Sequence, residues 1–236
     1  RSLRVLEQID CSAAEGEFIS ILGPSGCGKS TLLRILAGLV QPDDGGEVRV
    51  LGHCQTTLSD DVGVVFQYHN MLPWETVEAN MRLAAQVRGL PEREIEERLD
   101  TLLPILKLEK FRQHHPHELS GGMRQRAALG QILLTRPKVL LLDEPFGALD
   151  ALTRDQLNVE LLRLWQEMRQ TVVLITHSIA EAVFLSDRVL VMSERPGRII
   201  EDIRIDLPRP RDPRLTKQSE AFGRYVVQLG QLMGVD

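Results

Sequence analysis

Phe18-Ile19-Ser20-Ile21-Leu22-Gly23-Pro24-Ser25-Gly26-Cys27-Gly28-Lys29-Ser30 is the stretch on which the fold turns. Residues 18–22 are apolar but for Ser20, which predicts a buried strand. A glycine-rich turn closes that strand at once, over residues 23–28. Helical spacing follows from 29 to 39, with Leu32, Leu33, Ile35, Leu36 and Leu39 forming one apolar face. Strand, glycine-rich loop and helix in direct succession predict the opening of an α/β domain. The loop matches G-x-x-x-x-G-K-[ST] at every fixed position. Glycines let successive backbone N–H groups turn toward a phosphate, and the helix N-terminus adds its positive end. Lys29 supplies a full charge to β and γ phosphates, and the Ser30 hydroxyl can ligate Mg²⁺. The candidate phosphate-binding set is thus Gly23, Pro24, Ser25, Gly26, Cys27, Gly28, Lys29, Ser30 and Thr31.

Further along, the turn 42–46 separates this unit from short strands expected at 47–51 and 62–66. From about 76 to 134 the pattern is helical throughout, with Pro91 placed to start a helix and Pro104 to kink or end it. Alternation then resumes: strand 139–142, helix 151–168, strand 172–176, helix 179–185, strand 189–192 and an extended segment 198–205. Residues 207–211 read as an exposed connector, and 215–233 as weakly helical. The expected organisation is a single domain over 1–236. A nucleotide-binding core takes 1–67 and 136–205, a helical subdomain 68–135, and a short tail 206–236.

Val139-Leu140-Leu141-Leu142-Asp143-Glu144 is an apolar strand ending in two acids. Ligands bind α/β sheets at strand C-termini. Asp143 is therefore a candidate for the Mg²⁺ shell, and Glu144 for polarising an attacking water. The bland alternative is a strand-end acid capping the next turn. Leu119-Ser120-Gly121-Gly122-Met123-Arg124-Gln125 offers a hydroxyl, two glycines and a helix N-terminus, a second set of groups suited to phosphate.

With this run the chain resembles the ABC ATPases, whose signature is L-S-G-G-x-x-Q. The resemblance covers residues 16–207 and implies an α/β fold: a RecA-like P-loop NTPase core, an inserted helical subdomain and a small N-terminal β part. It implies that Ser120, Gly121 and Gly122 close on the ATP held by a second copy, in a head-to-tail dimer. Gln67 resembles the glutamine that touches Mg²⁺ and the attacking water, near the permease contact. Ala148-Leu149-Asp150 resembles the loop that crosses the dimer interface, and His177 the histidine that contacts the γ phosphate. Cofactors implied are ATP and Mg²⁺. Partners implied are integral-membrane permease subunits and, indirectly, an extracytoplasmic solute-binding protein. The implied location is peripheral, at the cytoplasmic face of the inner membrane. The family's adenine-stacking aromatic would fall at or before Arg1, since no Tyr, Trp or Phe precedes Phe18, so the chain is expected to begin inside a longer one.

Four segments look like the nitrate/sulfonate/taurine import branch, with aliphatic-sulfonate-type ATPases most similar: Leu72-Pro73-Trp74, the run 143–150, the run 181–188 and Arg195-Pro196-Gly197-Arg198-Ile199. The solute itself is not written in the chain. A net charge of -5 and a pI near 5.7 give no basic face for DNA or RNA. Lys29 and Ser120 are 91 residues apart (120 − 29), too close for the long coiled coil of chromosome-maintenance relatives. A phosphotransferase would have no use for the Ser120 clamp, and a purely regulatory ATP binder none for Glu144 and His177. No window is apolar enough to span a membrane. Three cysteines, Cys11, Cys27 and Cys54, have no metal-ligand spacing and fit a reducing setting. Cys27, beside a helix N-terminus, is expected to react with thiol reagents. His114, His115 and His117 are weighed as a metal cluster and set aside as part of a connector.

Overall fold

The computed structural model describes residues 3–43, 45–67, 71–147 and 149–234. Asp44, in the expected turn, and Ala148, in the expected interface loop, lie outside them. The chain packs as two compact units. The first comprises Arg1–Ser59, Leu141–Glu144 and Arg169–Asp236. The second comprises Asp60–Leu140 and Pro145–Met168.

Strands are β1 (Phe18–Leu22), β2 (Arg49–Val50), β3 (His53–Cys54), β4 (Val62–Val65), β5 (Val139–Asp143), β6 (Thr171–Thr176), β7 (Arg188–Met192) and β8 (Ile199–Arg204). In the first unit, hydrogen-bonded neighbours run β5-β6-β1-β7-β8, and β2 with β3 makes a separate hairpin. β1 lies parallel between β6 and β7, and β8 closes the edge antiparallel to β7. Burial on both faces explains why β1 reads as a continuous apolar run rather than an alternating one. Leu22 pairs with Thr176 on one side and Val191 on the other. The chain therefore leaves β1 and β6 at one level, at Gly23 and His177, while β7 runs one residue further, to Met192.

Helices of the first unit are α1 (Lys29–Leu36), α6 (Ile179–Leu185), α7 (Leu215–Gln218) and α8 (Glu220–Leu232). α1 stops three residues short of the expected 39, because the N–H of Leu39 turns back to Arg34 O at 2.9 Å. Ser178 caps α6, its Oγ accepting from Glu181 N at 3.3 Å. Ser219 caps α8 in the same way through Phe222 N at 3.2 Å.

The connector 207–211 is not exposed as expected: Leu207 and Arg211 are buried. The reason lies at the C-terminus of α6, where backbone carbonyls lack helical partners and carry the negative end of the helix dipole. Arg211 Nη1 donates to Val183 O, Phe184 O and Ser186 O at 3.2, 2.9 and 2.8 Å. Arg209 Nη2 donates to Leu185 O at 2.8 Å and pairs with Asp187.

The second unit holds β4, α2 (Val77–Val87), α3 (Glu92–Ile105), α4 (Gly121–Leu133) and α5 (Ala151–Met168), with single 3-10 turns at Glu109–Phe111 and Pro116–Glu118. Pro91 is the N-cap of α3 and Pro104 sits in its last turn. Asn80, 1 % exposed, accepts from Leu72 N at 2.7 Å and donates to the carbonyls of Leu72, Glu75 and Thr76. One amide thus fastens the segment that presents Trp74, which stays 69 % exposed.

Candidate nucleotide site

In the first unit, β1 delivers the chain to the loop 23–28, and α1 leaves it. Gly28 has φ 112°, a region that side chains rarely adopt, and a Cβ there would meet Leu6 Cδ2 at 2.7 Å. As the N-cap of α1 it offers no side-chain acceptor, and no acid occupies the first turn. That helix end is thus suited to an anion from outside the chain. Lys29 is 6 % exposed, with Nζ donating to Gly23 O at 2.8 Å and Pro24 O at 2.9 Å. Its charge is held against the loop rather than paired with an acid.

Ser30 Oγ donates to Asp143 Oδ1 at 3.0 Å. Asp143, at the end of β5, is 7 % exposed; burial pushes its carboxyl pKa up, while the Ser30 bond pulls it down. A hydroxyl and a carboxylate this close form a hard-oxygen pair suited to Mg²⁺, which completes its shell with phosphate oxygens and water. Among the described residues, no group of three or more His, Cys, Asp or Glu could hold a metal ion by itself.

Glu144 follows with φ 45°, its N–H donating to Ile175 O at 3.0 Å. The turn aims its carboxylate at His177, with Oε2 3.1 Å from Nδ1. His177 leaves the neighbouring strand β6 and is 55 % exposed at its side chain. Behind it, the Thr176 hydroxyl donates to the buried Glu181 and accepts from Ser178 N at 3.0 Å. Glu181 was marked in the sequence only as the start of the branch-like run 181–188, and nothing there shows its bond to Thr176. Cys27 is 1 % exposed, which works against the expected reaction with thiol reagents.

Gln67, Ser120, Gly121, Gly122 and Asp150 belong to the second unit. Gln67 is exposed, two residues beyond β4. Ser120 caps α4, its Oγ accepting from Met123 N at 3.3 Å, and Gly121 and Gly122 open the helix. A Cβ on Gly122 would stand 2.8 Å from Thr153 Cγ2, and one on Gly121 3.4 Å from Leu149 Cδ2. The start of α4 thus lies against the start of α5, where Asp150 Oδ1 accepts from Thr153 N at 3.0 Å. This bond holds the Asp150 carboxyl below the usual carboxylate range. Arg154, which the motifs do not mark, ties the preceding loop through the carbonyls of Phe146, Gly147 and Leu149. Of the histidines before the signature, His115 caps the 3-10 turn 116–118 with Glu118 and stacks on His117.

A phosphate loop entering a helix, an acid pair at a strand end and a histidine on the next strand define a P-loop nucleoside triphosphatase, and the α4 signature narrows the class. The chain belongs to the ABC transporter family, whose model matches residues 6–147. It is an ATP-binding, ATP-hydrolysing transporter subunit of that family. Among its relatives, an uncharacterized ABC transporter ATP-binding protein of Methanocaldococcus jannaschii is 46% identical over 89% of this chain and 78% of its own. The aliphatic sulfonates import ATP-binding protein SsuB of Bacillus cereus is 44% identical over 94% of this chain and 85% of its own. SsuB of Bacillus subtilis is 43% identical, covering 96% and 87%. Of solved structures, a dimeric ATP-binding cassette bound to ADP and Pi superposes with a TM-score of 0.74 at 32% identity, covering 86% of this chain and 92% of that one. No helix among the described residues is long and apolar enough to cross a membrane.

Proposed function

We propose that this chain powers an importer for a small anion such as an aliphatic sulfonate, taurine or nitrate. The observation that carries the chemistry is the array at the strand ends: Lys29 and Ser30 beyond β1, Asp143 ending β5 with Glu144 next, and His177 after β6, joined by the Ser30–Asp143 and Glu144–His177 contacts. The import assignment is supported by the relatives named for aliphatic sulfonate import. One ABC ATPase domain is the organisation we assign, with the helical subdomain 68–135 inserted in a core of 1–67 and 136–205 and the tail 206–236 following.

The loop 23–28 binds the triphosphate through backbone N–H groups, and Lys29 neutralises its β and γ oxygens. Ser30, Asp143 and Gln67 would hold Mg²⁺, which supplies further charge neutralisation on the same oxygens. Glu144 accepts the proton of the attacking water. His177, with Nδ1 directed at Glu144, orients that carboxylate and leaves Nε2 for the γ phosphate. Ser120, Gly121, Gly122 and Asp150 serve the nucleotide of a second copy, so two chains enclose two ATP molecules. Binding both faces more tightly in the closed pair drives closure, and hydrolysis releases it. The helical subdomain near Gln67 passes the motion to a permease, which a solute-binding protein loads from outside the cell, so the chain works at the cytoplasmic face of the membrane.

The test is reconstitution with the permease in lipid, followed by ATPase assays with binding protein and a panel of sulfonates and oxyanions. Stimulation by one solute of that panel is the expected result. Steady hydrolysis indifferent to permease and every solute would remove the import assignment.

A further inference from the structure

The phosphate loop has a brace that none of its own motif residues provides. β7 ends at Met192, level with the start of the loop, and the chain turns through Ser193–Arg198 into β8. This turn is built tightly. Ser193 N donates to Arg198 O at 2.9 Å, and Ser193 Oγ accepts from Arg198 N at 3.0 Å. Its far side grips the chain's early segment: Gly197 N donates to Val5 O at 2.9 Å, Glu7 N donates to Gly197 O at 3.0 Å, and Arg198 pairs with Glu7 at 2.7 Å. Its near side presses on the loop. Arg195 Nη2 donates to Gly26 O at 2.9 Å. Gly197 is buried so closely against the loop that a Cβ would stand 2.2 Å from Cys27 O.

These two contacts fix consecutive peptide planes. In a trans peptide the N–H points opposite to the C=O. With the Gly26 carbonyl held by Arg195 and the Cys27 carbonyl against Gly197, the N–H groups of Cys27 and Gly28 are turned away from the brace. Cys27 N accordingly reaches back across the loop toward Pro24 O at 3.4 Å. N–H groups of such a loop are what recognise phosphate, so whatever sets their planes sets the affinity.

We propose that Arg195 is a positioning residue for nucleotide binding, which holds the Gly26 carbonyl from behind and so keeps the Pro24–Cys27 turn of the phosphate loop closed, with Gly197 as the stop that turns the Gly28 N–H away from the brace. It touches no reacting atom. The proposal rests on reading residues 23–30 as the ATP site. It places a determinant of nucleotide affinity in the turn 193–198, far along the chain from the motif.

The test compares the whole chain with Arg195→Ala and Arg195→Lys, measuring calorimetric Kd for ADP with Mg²⁺, KM and kcat for ATP, and melting temperature. A charge-assisted bond to a carbonyl sets the scale, so Arg195→Ala should weaken ADP and raise KM by roughly three- to tenfold. kcat should stay within about twofold, because the chemical groups are untouched. Arg195→Lys, which keeps a donor for Gly26 O, should recover most of the affinity. Unchanged Kd and KM in Arg195→Ala would overturn the proposal, as would a lowered melting temperature with affinity intact, the mark of a merely structural role. Partial unfolding would reduce kcat through loss of active protein and leave KM alone, so that pattern also counts against it. If the unaltered chain itself bound no ADP, the reading of the loop would fall, and the failure would appear before any substitution.

Discussion

Glu144 combines a strand-end position, φ 45° and a 3.1 Å approach to His177. Glutamine has the same length and an equal tolerance for that backbone, so Glu144→Gln removes only the proton acceptor. It should retain ATP binding, accumulate the closed dimer on a sizing column and lose turnover by about two to four orders of magnitude. Undiminished hydrolysis would take the general-base role from Glu144. His177 and the acid pair were legible because each ends an apolar strand at a recognised interval. Arg154 carried no such mark, and Arg195 and Glu181 stood out only within branch-like segments; the role of each was hidden because it acts through a carbonyl or hydroxyl whose position only the folded chain creates. Arg211 misled for a related reason. Arginine between prolines signals an exposed linker, but here burial is offset by four backbone acceptors, and desolvation brings its pKa down to about 10. Arg211→Met keeps much of the stem and loses those bonds. It should cost about 1–3 kcal/mol in urea unfolding.

Elements of the expected kinds formed where the pattern was strong, and β1, α5 and α6 match closely. Boundaries moved where backbone bonds outside the helical ladder took over, as at the end of α1, where Leu39 N turns back to Arg34 O. The N-terminus of α2 illustrates what periodicity does not reveal. Thr76 caps the helix as a pattern would suggest, with Oγ1 accepting from Ala79 N at 3.2 Å. The segment before it, however, depends on Asn80, which lies inside the helix and looks like an unremarkable polar residue. Asn80→Ala would leave Leu72 N–H and three carbonyls without this partner. About 2 kcal/mol of stability should go, together with faster proteolytic cutting between 71 and 76. If cutting is unchanged while stability falls, the amide supports only α2 and not the Trp74 segment.

At the scale of the molecule, the helical unit carries a charge cluster that governs its response to acid. Glu78 accepts from Arg82 and Gln113, and Arg112 bonds both Glu78 and Glu96, joining α2, α3 and the 3-10 turn 109–111. Chiefly through Arg112, the Glu78 carboxyl is held below its ordinary value of 4.5, so the folded chain binds that proton more weakly than the unfolded chain does. The stabilisation is complete above about pH 4.5 and fades as the pH falls through the lowered folded value. The urea midpoint should therefore drop on acidification in this range, and Glu78→Gln should flatten that part of the profile. An identical slope in the variant would assign acid sensitivity to other carboxylates.

The brace behind the phosphate loop also bears on the order in which a growing chain can become competent. Gly23–Ser30 leaves the ribosome early, whereas β6, β7 and the turn at Gly197 are synthesised last among its supports. Some 170 residues (197 − 27) separate Cys27 from the glycine it rests on. At a synthesis rate of about 5–20 residues per second, that gap lasts roughly 10–30 s. A nascent chain that has emerged from the exit tunnel only as far as residue 187 would display the complete phosphate-loop motif and still lack one strand beside β1 as well as the grip on Gly26, so ATP retention by stalled chains should begin only once Arg198 has cleared the tunnel.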